Sequence, residues 1–189
     1  MADLINIHAI IPCSLVNGPG ARMVVFFQGC SRNCPGCFNP ETHAFGPGEL
    51  LTAAQILDRL PKAGIEGITV SGGEPFAQPR GLSSLLGAAR EKGLSTVVYT
   101  GFVLSELPAA GAARACLEDI DVLIDGGYEE ARTEPTLLAR GSSNQELHFL
   151  TSRYRMEDFR MPGKVELTIG RDGVITETGF SQIPLSSDL

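Results

Sequence analysis

The sequence predicts an α/β fold, an open partial (β/α) barrel on a mostly parallel sheet, with a β-hairpin at its C-terminal end. Three observations lead there. Short apolar runs alternate with helix-like segments, the pattern of right-handed βαβ units. Polar turn motifs follow three of the apolar runs, at the strand edge where parallel α/β folds bind ligands. About five strands fit the alternation, too few for a closed eight-stranded barrel.

The elements follow in order. Residues 4–11 and 23–28 are apolar enough for strands and are separated by the turn-rich Asn17-Gly18-Pro19-Gly20. A helix is predicted over 52–63, where Thr52 and Gln55 have capping-box spacing, Ile56, Leu57 and Leu60 form an apolar stripe, and Gly64 is placed to end it. Residues 67–70 read as a buried strand running into Ser71-Gly72-Gly73-Glu74-Pro75, and 82–92 as a helix stopped by Gly93. A strand over 96–99 ends in Thr100-Gly101. A helix over 109–117 is weakened by Gly111, and a strand over 122–124 ends in Asp125-Gly126-Gly127. Residues 146–150 form one more strand. Residues 164–169 and 174–178, joined by Gly170-Arg171-Asp172-Gly173, make the terminal hairpin.

With 189 residues, 43% of them hydrophobic, the chain can bury the core of one domain, taken here as 1–189 with its core over 7–150 and a hairpin extension over 153–189. No apolar run approaches the ~20 residues of a membrane helix, and the N-terminus lacks the basic and apolar regions of a signal peptide. A cytoplasmic protein with no membrane partner is expected. A net charge of −7 argues against nucleic-acid binding, which needs a basic face.

Five cysteines are present, and Cys30, Cys34 and Cys37 fall on one loop as C-x3-C-x2-C. In a chain without an export signal such clustering reads as metal ligation rather than disulfides. Thiolates are soft ligands suited to iron–sulfur clusters and zinc. A four-iron cluster normally takes four cysteines, so three leave one iron open to a substrate. A zinc site recruiting His43 is the competing reading, although its spacing is unlike the usual Cys/His sites. Cys116 lies in a helical segment and Cys13 follows a strand; both are expected to pack as small hydrophobes.

C-x3-C-x2-C followed about 35 residues later by Gly-Gly-Glu-Pro after a strand resembles the radical S-adenosylmethionine (SAM) superfamily. Several blocks occur in one order: Val16-Asn17-Gly18-Pro19-Gly20 with Arg22, Gly29-Cys30, Cys34-Pro35-Gly36-Cys37 with Asn39, Ser71-Gly72-Gly73, Thr100-Gly101, Val122-Leu123-Ile124-Asp125-Gly126 and Arg140-Gly141-Ser142-Ser143-Asn144-Gln145. Over residues 7–150 they resemble the activating proteins of anaerobic ribonucleoside-triphosphate reductase.

That resemblance implies a site. Cys30, Cys34 and Cys37 would hold a 4Fe-4S cluster, and SAM would chelate its open iron. Gly72, Gly73 and Glu74 would receive the methionyl ammonium, and Thr100 and Asp125 would contact the ribose or methionyl part. Phe38 would stack on adenine, because Gly36 stands where many members carry an aromatic. Reductive cleavage of SAM would give a 5′-deoxyadenosyl radical that takes hydrogen from a backbone glycine of a glycyl-radical enzyme, an anaerobic ribonucleotide reductase. Flavodoxin or ferredoxin would donate the electron. Two other functions stay open on the residues alone: a radical SAM enzyme acting on a small molecule or peptide, as carboxydeazaguanine synthases do, and a non-catalytic metal-binding regulatory module.

Overall fold

The computed structural model describes residues 3–108, 111–134, 138–161, 165–169 and 175–179. Seven strands form one mixed sheet: β1 (Ile5–Ser14), β2 (Arg22–Phe27), β3 (Glu49–Leu51), β4 (Gly67–Gly72), β5 (Ser95–Tyr99), β6 (Val122–Asp125) and β7 (Glu146–Phe149), in the spatial order β3-β1-β2-β4-β5-β6-β7. The central strands β2, β4, β5 and β6 are parallel to one another. β1 runs antiparallel to β2, and β7 antiparallel to β6. The first reversal follows from its connection. A parallel neighbour needs a long crossover, usually helical, whereas residues 15–21 form only a turn.

Among the described residues, three α-helices complete the layer: α1 (Ala53–Leu57), α2 (Pro79–Glu91) and α3 (Ala112–Glu118). The Thr52–Gln55 capping box is present, but α1 stops well before residue 63. Pro61 has no N–H to donate and disfavours a helical Leu60, a signal that outweighs the apolar stripe. α2 begins earlier than the stripe suggests because Pro79 occupies its first turn, where proline costs nothing. α3 starts at Ala112, and residues 109–110 of its predicted span lie outside the described residues. β3, a three-residue edge strand, was too short to leave a pattern. β8 (Val165–Ile169) and β9 (Ile175–Gly179) pair antiparallel as the expected hairpin, whose turn lies outside the described residues.

Strand alternation divides the residues between two faces. Met23, Val25, Phe27, Ile68, Val70, Val98 and Leu123 face the helices, where Ile56, Leu82, Leu85, Leu86 and the buried thiol of Cys116 pack against them. On the opposite face, Val97, Val122, Ile124 and Leu147 meet Leu138, Tyr154 and Phe159. Cys13 departs from expectation. It is exposed, because β1 carries few buried residues beyond Ile7.

Arg22 ties the N-terminal edge together. It is fully buried and donates to Thr69 Oγ1 (2.8 Å), Pro19 O (3.0 Å), Ser95 Oγ (2.9 Å) and Ile68 O (2.6 Å), joining β2, β4, β5 and the preceding turn. The hydroxyl of Tyr154, 3.3 Å from Arg22, donates to Glu66 Oε1 at 2.5 Å. Pro19 and Arg22 thus hold the framework at the N-terminal ends of β2, β4 and β5.

Candidate active site

The C-terminal ends of the parallel strands open onto a cavity of about 920 Å³. Phe26, Ser71 and Tyr99 line it from the sheet face opposite the helices, as their strand positions dictate. Cys30, Cys34, Cys37, Phe38, Gly72, Gly73, Glu74 and Thr100 all border this one cavity. The structure therefore brings together eight residues that sequence reasoning selected. Asp125 is not among the lining residues. Its neighbour Gly126 is, and strand alternation turns the Asp125 carboxylate toward the helix side, where it accepts from Leu104 N at 2.6 Å.

The cysteine loop leaves β2 at Gly29, whose φ of +99° suits only glycine. Gly29 N donates to Thr42 O (2.8 Å) and Cys30 N to His43 O (3.0 Å), which pins the loop at its base. Asn33 adopts a left-handed conformation (φ +45°), the bend that precedes Cys34. Backbone N–H groups reach two of the sulfurs: Arg32 N to Cys30 Sγ (3.4 Å) and Asn39 N to Cys37 Sγ (3.5 Å). Burial pushes the Cys30 and Cys37 thiols above their usual values, while these N–H···S bonds pull the other way.

The Gly-Gly-Glu motif proves to be a joint between strands. A Cβ on Gly73 would lie 2.3 Å from Gly29 O, and one on Gly72 only 2.5 Å from Phe27 N. Gly73 N donates to Phe27 O and Glu74 N to Gly29 O, both at 2.8 Å. The glycines let the end of β4 seat against the backbone that carries the first cysteine. Glu74 is 1% exposed. It accepts from Phe76 N (2.9 Å), Thr100 Oγ1 (2.8 Å) and Gly101 N (2.8 Å), and so clamps the ends of β4 and β5. Burial raises its carboxyl above the ordinary range, opposed by those donors and by Arg32.

At the other end of the cavity the rings of Phe38 and Tyr128 lie 4.8 Å apart, tilted by 46°. Gly141 supports them; a Cβ there would meet Phe38 at 2.9 Å and Tyr128 at 3.0 Å. Gly36 has a φ of +68°, a left-handed conformation that favours glycine, and the movable end of Glu130 lies beside it. Gln145 braces this wall, its Oε1 accepting from Gly141 N (2.9 Å) and its Nε2 donating to Gly126 O (2.9 Å). Sequence reasoning missed Arg32, Tyr128 and His8, which also line the cavity. Arg32 stands inside the cysteine loop and could have been found there. Tyr128 and His8 carry no local signal.

These residues fit a cluster better than a single ion. The donor set is soft and sits on one cavity wall. Among the described residues, the group of ligand atoms lying within 4.8 Å of one another does not include these thiols, whereas one tetrahedral zinc with bonds of about 2.3 Å would need them so close. The cavity beside them has room for a nucleotide. Fold and loop together define the radical SAM class, with a 4Fe-4S cluster and SAM as its cofactors.

Comparison with known proteins narrows the class. A family model described as a 4Fe-4S single cluster domain matches residues 16–148. The anaerobic ribonucleoside-triphosphate reductase-activating protein of Escherichia coli K12 is 37% identical over 155 residues, covering 77% of this chain and 99% of that protein. The counterpart in Pasteurella multocida is 38% identical over 152 residues (74% and 94%), and that of enterobacteria phage T4 is 37% identical over 150 (75% and 92%). A solved structure, QueE from Escherichia coli, overlaps with a TM-score of 0.44 at 15% identity over 52% of this chain and 53% of its own, a likeness too partial to bear on function. The chain belongs to the family of anaerobic ribonucleoside-triphosphate reductase-activating proteins.

Proposed function

We propose that this protein is the activase of an anaerobic ribonucleotide reductase and generates a glycyl radical on that partner. The observation that carries the reading is the meeting of three thiols, the Gly72–Gly73 joint and the Phe38–Tyr128 wall in one cavity. Cys30, Cys34 and Cys37 would hold three irons of the cluster. Gly73 and Ser71 offer backbone and hydroxyl groups to the methionyl end, and Phe38 with Tyr128 offers an aromatic wall for the adenine. Glu74 and Thr100 act by fixing the strand ends, since their polar atoms are engaged with each other and with Gly101. When bound, the cluster and SAM supply reductive cleavage of the sulfonium to a 5′-deoxyadenosyl radical.

The chain's own contribution is orientation and exclusion of water around that event. We read the sheet as a partial barrel whose open side admits the partner's glycine loop, within a single domain spanning 1–189 in the cytoplasm. Flavodoxin or ferredoxin is the proposed electron source, to be tested by replacing dithionite with each donor.

The deciding experiment mixes anaerobically reconstituted protein, reductant and SAM with the candidate reductase. Electron paramagnetic resonance should show a glycyl doublet. Release of 5′-deoxyadenosine without a protein radical would redirect the reading to a small-molecule substrate. A colourless preparation binding one zinc would end it. Alanine at Cys30, Cys34 or Cys37 should abolish SAM cleavage.

A further inference from the structure

The geometry points to a second metal site, for a divalent first-row cation, formed by Asp125, Glu146 and His148 on the helix side of the sheet, behind the cavity wall. The three ligand atoms lie within 4.8 Å of one another. Their placement follows from register. Asp125 pairs with Glu146 and Leu123 with His148 across β6 and β7, and residues two apart on a strand share a face. Gln145 lines the cavity, so its neighbour Glu146 projects away from it. The site is therefore distinct from the cysteine loop.

Two features of this cluster call for a cation. Asp125 and Glu146 stand directly opposite each other on one face, an arrangement in which like charges repel. No lysine or arginine is ion-paired with either of them among the described residues. The second feature is the geometry of the His148 ring nitrogen, which is paired with Asp125 by proximity and not by a hydrogen bond. This Nε2 is buried and lies 2.9 Å from Asp125 Oδ2. At that separation only a poor angle can deny the bond, so the ring nitrogen points past the carboxylate. Two atoms that bind one ion at about 2.1 Å and at right angles sit about 3 Å apart, each aimed at the ion and not at the other. A cation there would balance both carboxylates and take up the imidazole nitrogen. Two carboxylates and one imidazole suit Mn²⁺, Fe²⁺ or Zn²⁺ in preference to soft ions.

Asp125 Oδ2 also accepts from Leu104 N, and Gly126 N donates to Phe102 O. Metal held at this point would fix the segment after β5 and the exit of β6, whose next residue borders the cavity. Its role would be to stiffen the cavity wall from behind.

The test uses cluster-loaded protein under anaerobic conditions, titrated with Mn²⁺ and followed by the loss of the free six-line Mn²⁺ resonance. One equivalent should bind, and His148→Ala and Glu146→Ala should each weaken it at least about tenfold. Mn²⁺ should also raise the melting temperature of the wild type and not of the variants. The Cys34→Ala protein should keep its Mn²⁺ while losing its cluster, which separates this site from the proposed function. Should His148→Ala fail to fold, Glu146→Gln at an exposed position gives the same reading. Absence of stoichiometric binding, or binding indifferent to both residues, would overturn the proposal.

Discussion

Glu74 shows what a single residue does here and how far its type could be read. The Gly-Gly-Glu motif marked it as a ligand-facing acid; it borders the cavity, and its carboxylate also accepts from Phe76 N, Thr100 Oγ1 and Gly101 N. A glutamine would present an N–H to one of these donors, so Glu74→Gln should cost about 1–3 kcal/mol, measured by denaturant unfolding. Its pH dependence has a definite sign. Burial lifts the folded-state value above the ordinary 4.5, so folding favours the protonated form. Stability from this group is complete below the ordinary value and is lost as pH rises through the raised one. The melting temperatures of wild type and Glu74→Gln should therefore diverge as pH falls from 8 toward 5. A constant gap would mean that the carboxylate titrates normally. Asp125 teaches the same lesson differently: its position at a strand end was legible, but the face it projects from was not.

Among the elements, the joint between β2 and β4 matters most for the site. A methyl group at residue 73 would press into Gly29 O, and both atoms belong to backbone that cannot swing aside. Gly73→Ala should cost about 1–3 kcal/mol and release the base of the cysteine loop, read as lower iron content after reconstitution. An unchanged iron-to-protein ratio would show that the joint yields. Arg22 does the corresponding work at the far end. Replacing it with methionine leaves Thr69, Ser95 and Ile68 O without their buried donor, and should destabilise by at least about 3 kcal/mol in chemical denaturation. The helices were read well where caps were local. Thr52 and Gln55 cap α1 as their spacing says, whereas Pro61 set the end of that helix against its apolar stripe.

For the whole molecule, the division of faces decides where chemistry can occur. The three helices among the described residues cover one face with an apolar layer, which leaves the other for the cavity and the segment holding Tyr154 and Phe159. Among the described residues the β8–β9 hairpin forms its own two-stranded sheet; it meets the rest where the Glu166 carboxylate accepts from Leu15 N at 2.7 Å and where Gly179 borders the cavity. A chain ending at residue 161 keeps both hydrophobic clusters intact. It should melt within a few degrees of the full protein and still load its cluster, measured by calorimetry and iron content. Loss of the folded state would show that the hairpin belongs to the core.

By itself the sequence determined the class of chemistry, because three thiolates at fixed spacing on a glycine-rich loop are a local property, as are caps, strand alternation and the glycines after β4. It also determined that the ends of successive strands would share an edge, since βαβ connections have one hand. Only the tertiary structure decided which polar atoms remain available at that edge. Glu74 is engaged by residues 26–27 positions further along the chain, Asp125 faces the helix side, and Tyr128 reaches Phe38 from the segment after β6. Such pairings depend on register and on the twist between strands. They arise from contacts distant in the chain, for which no local pattern exists.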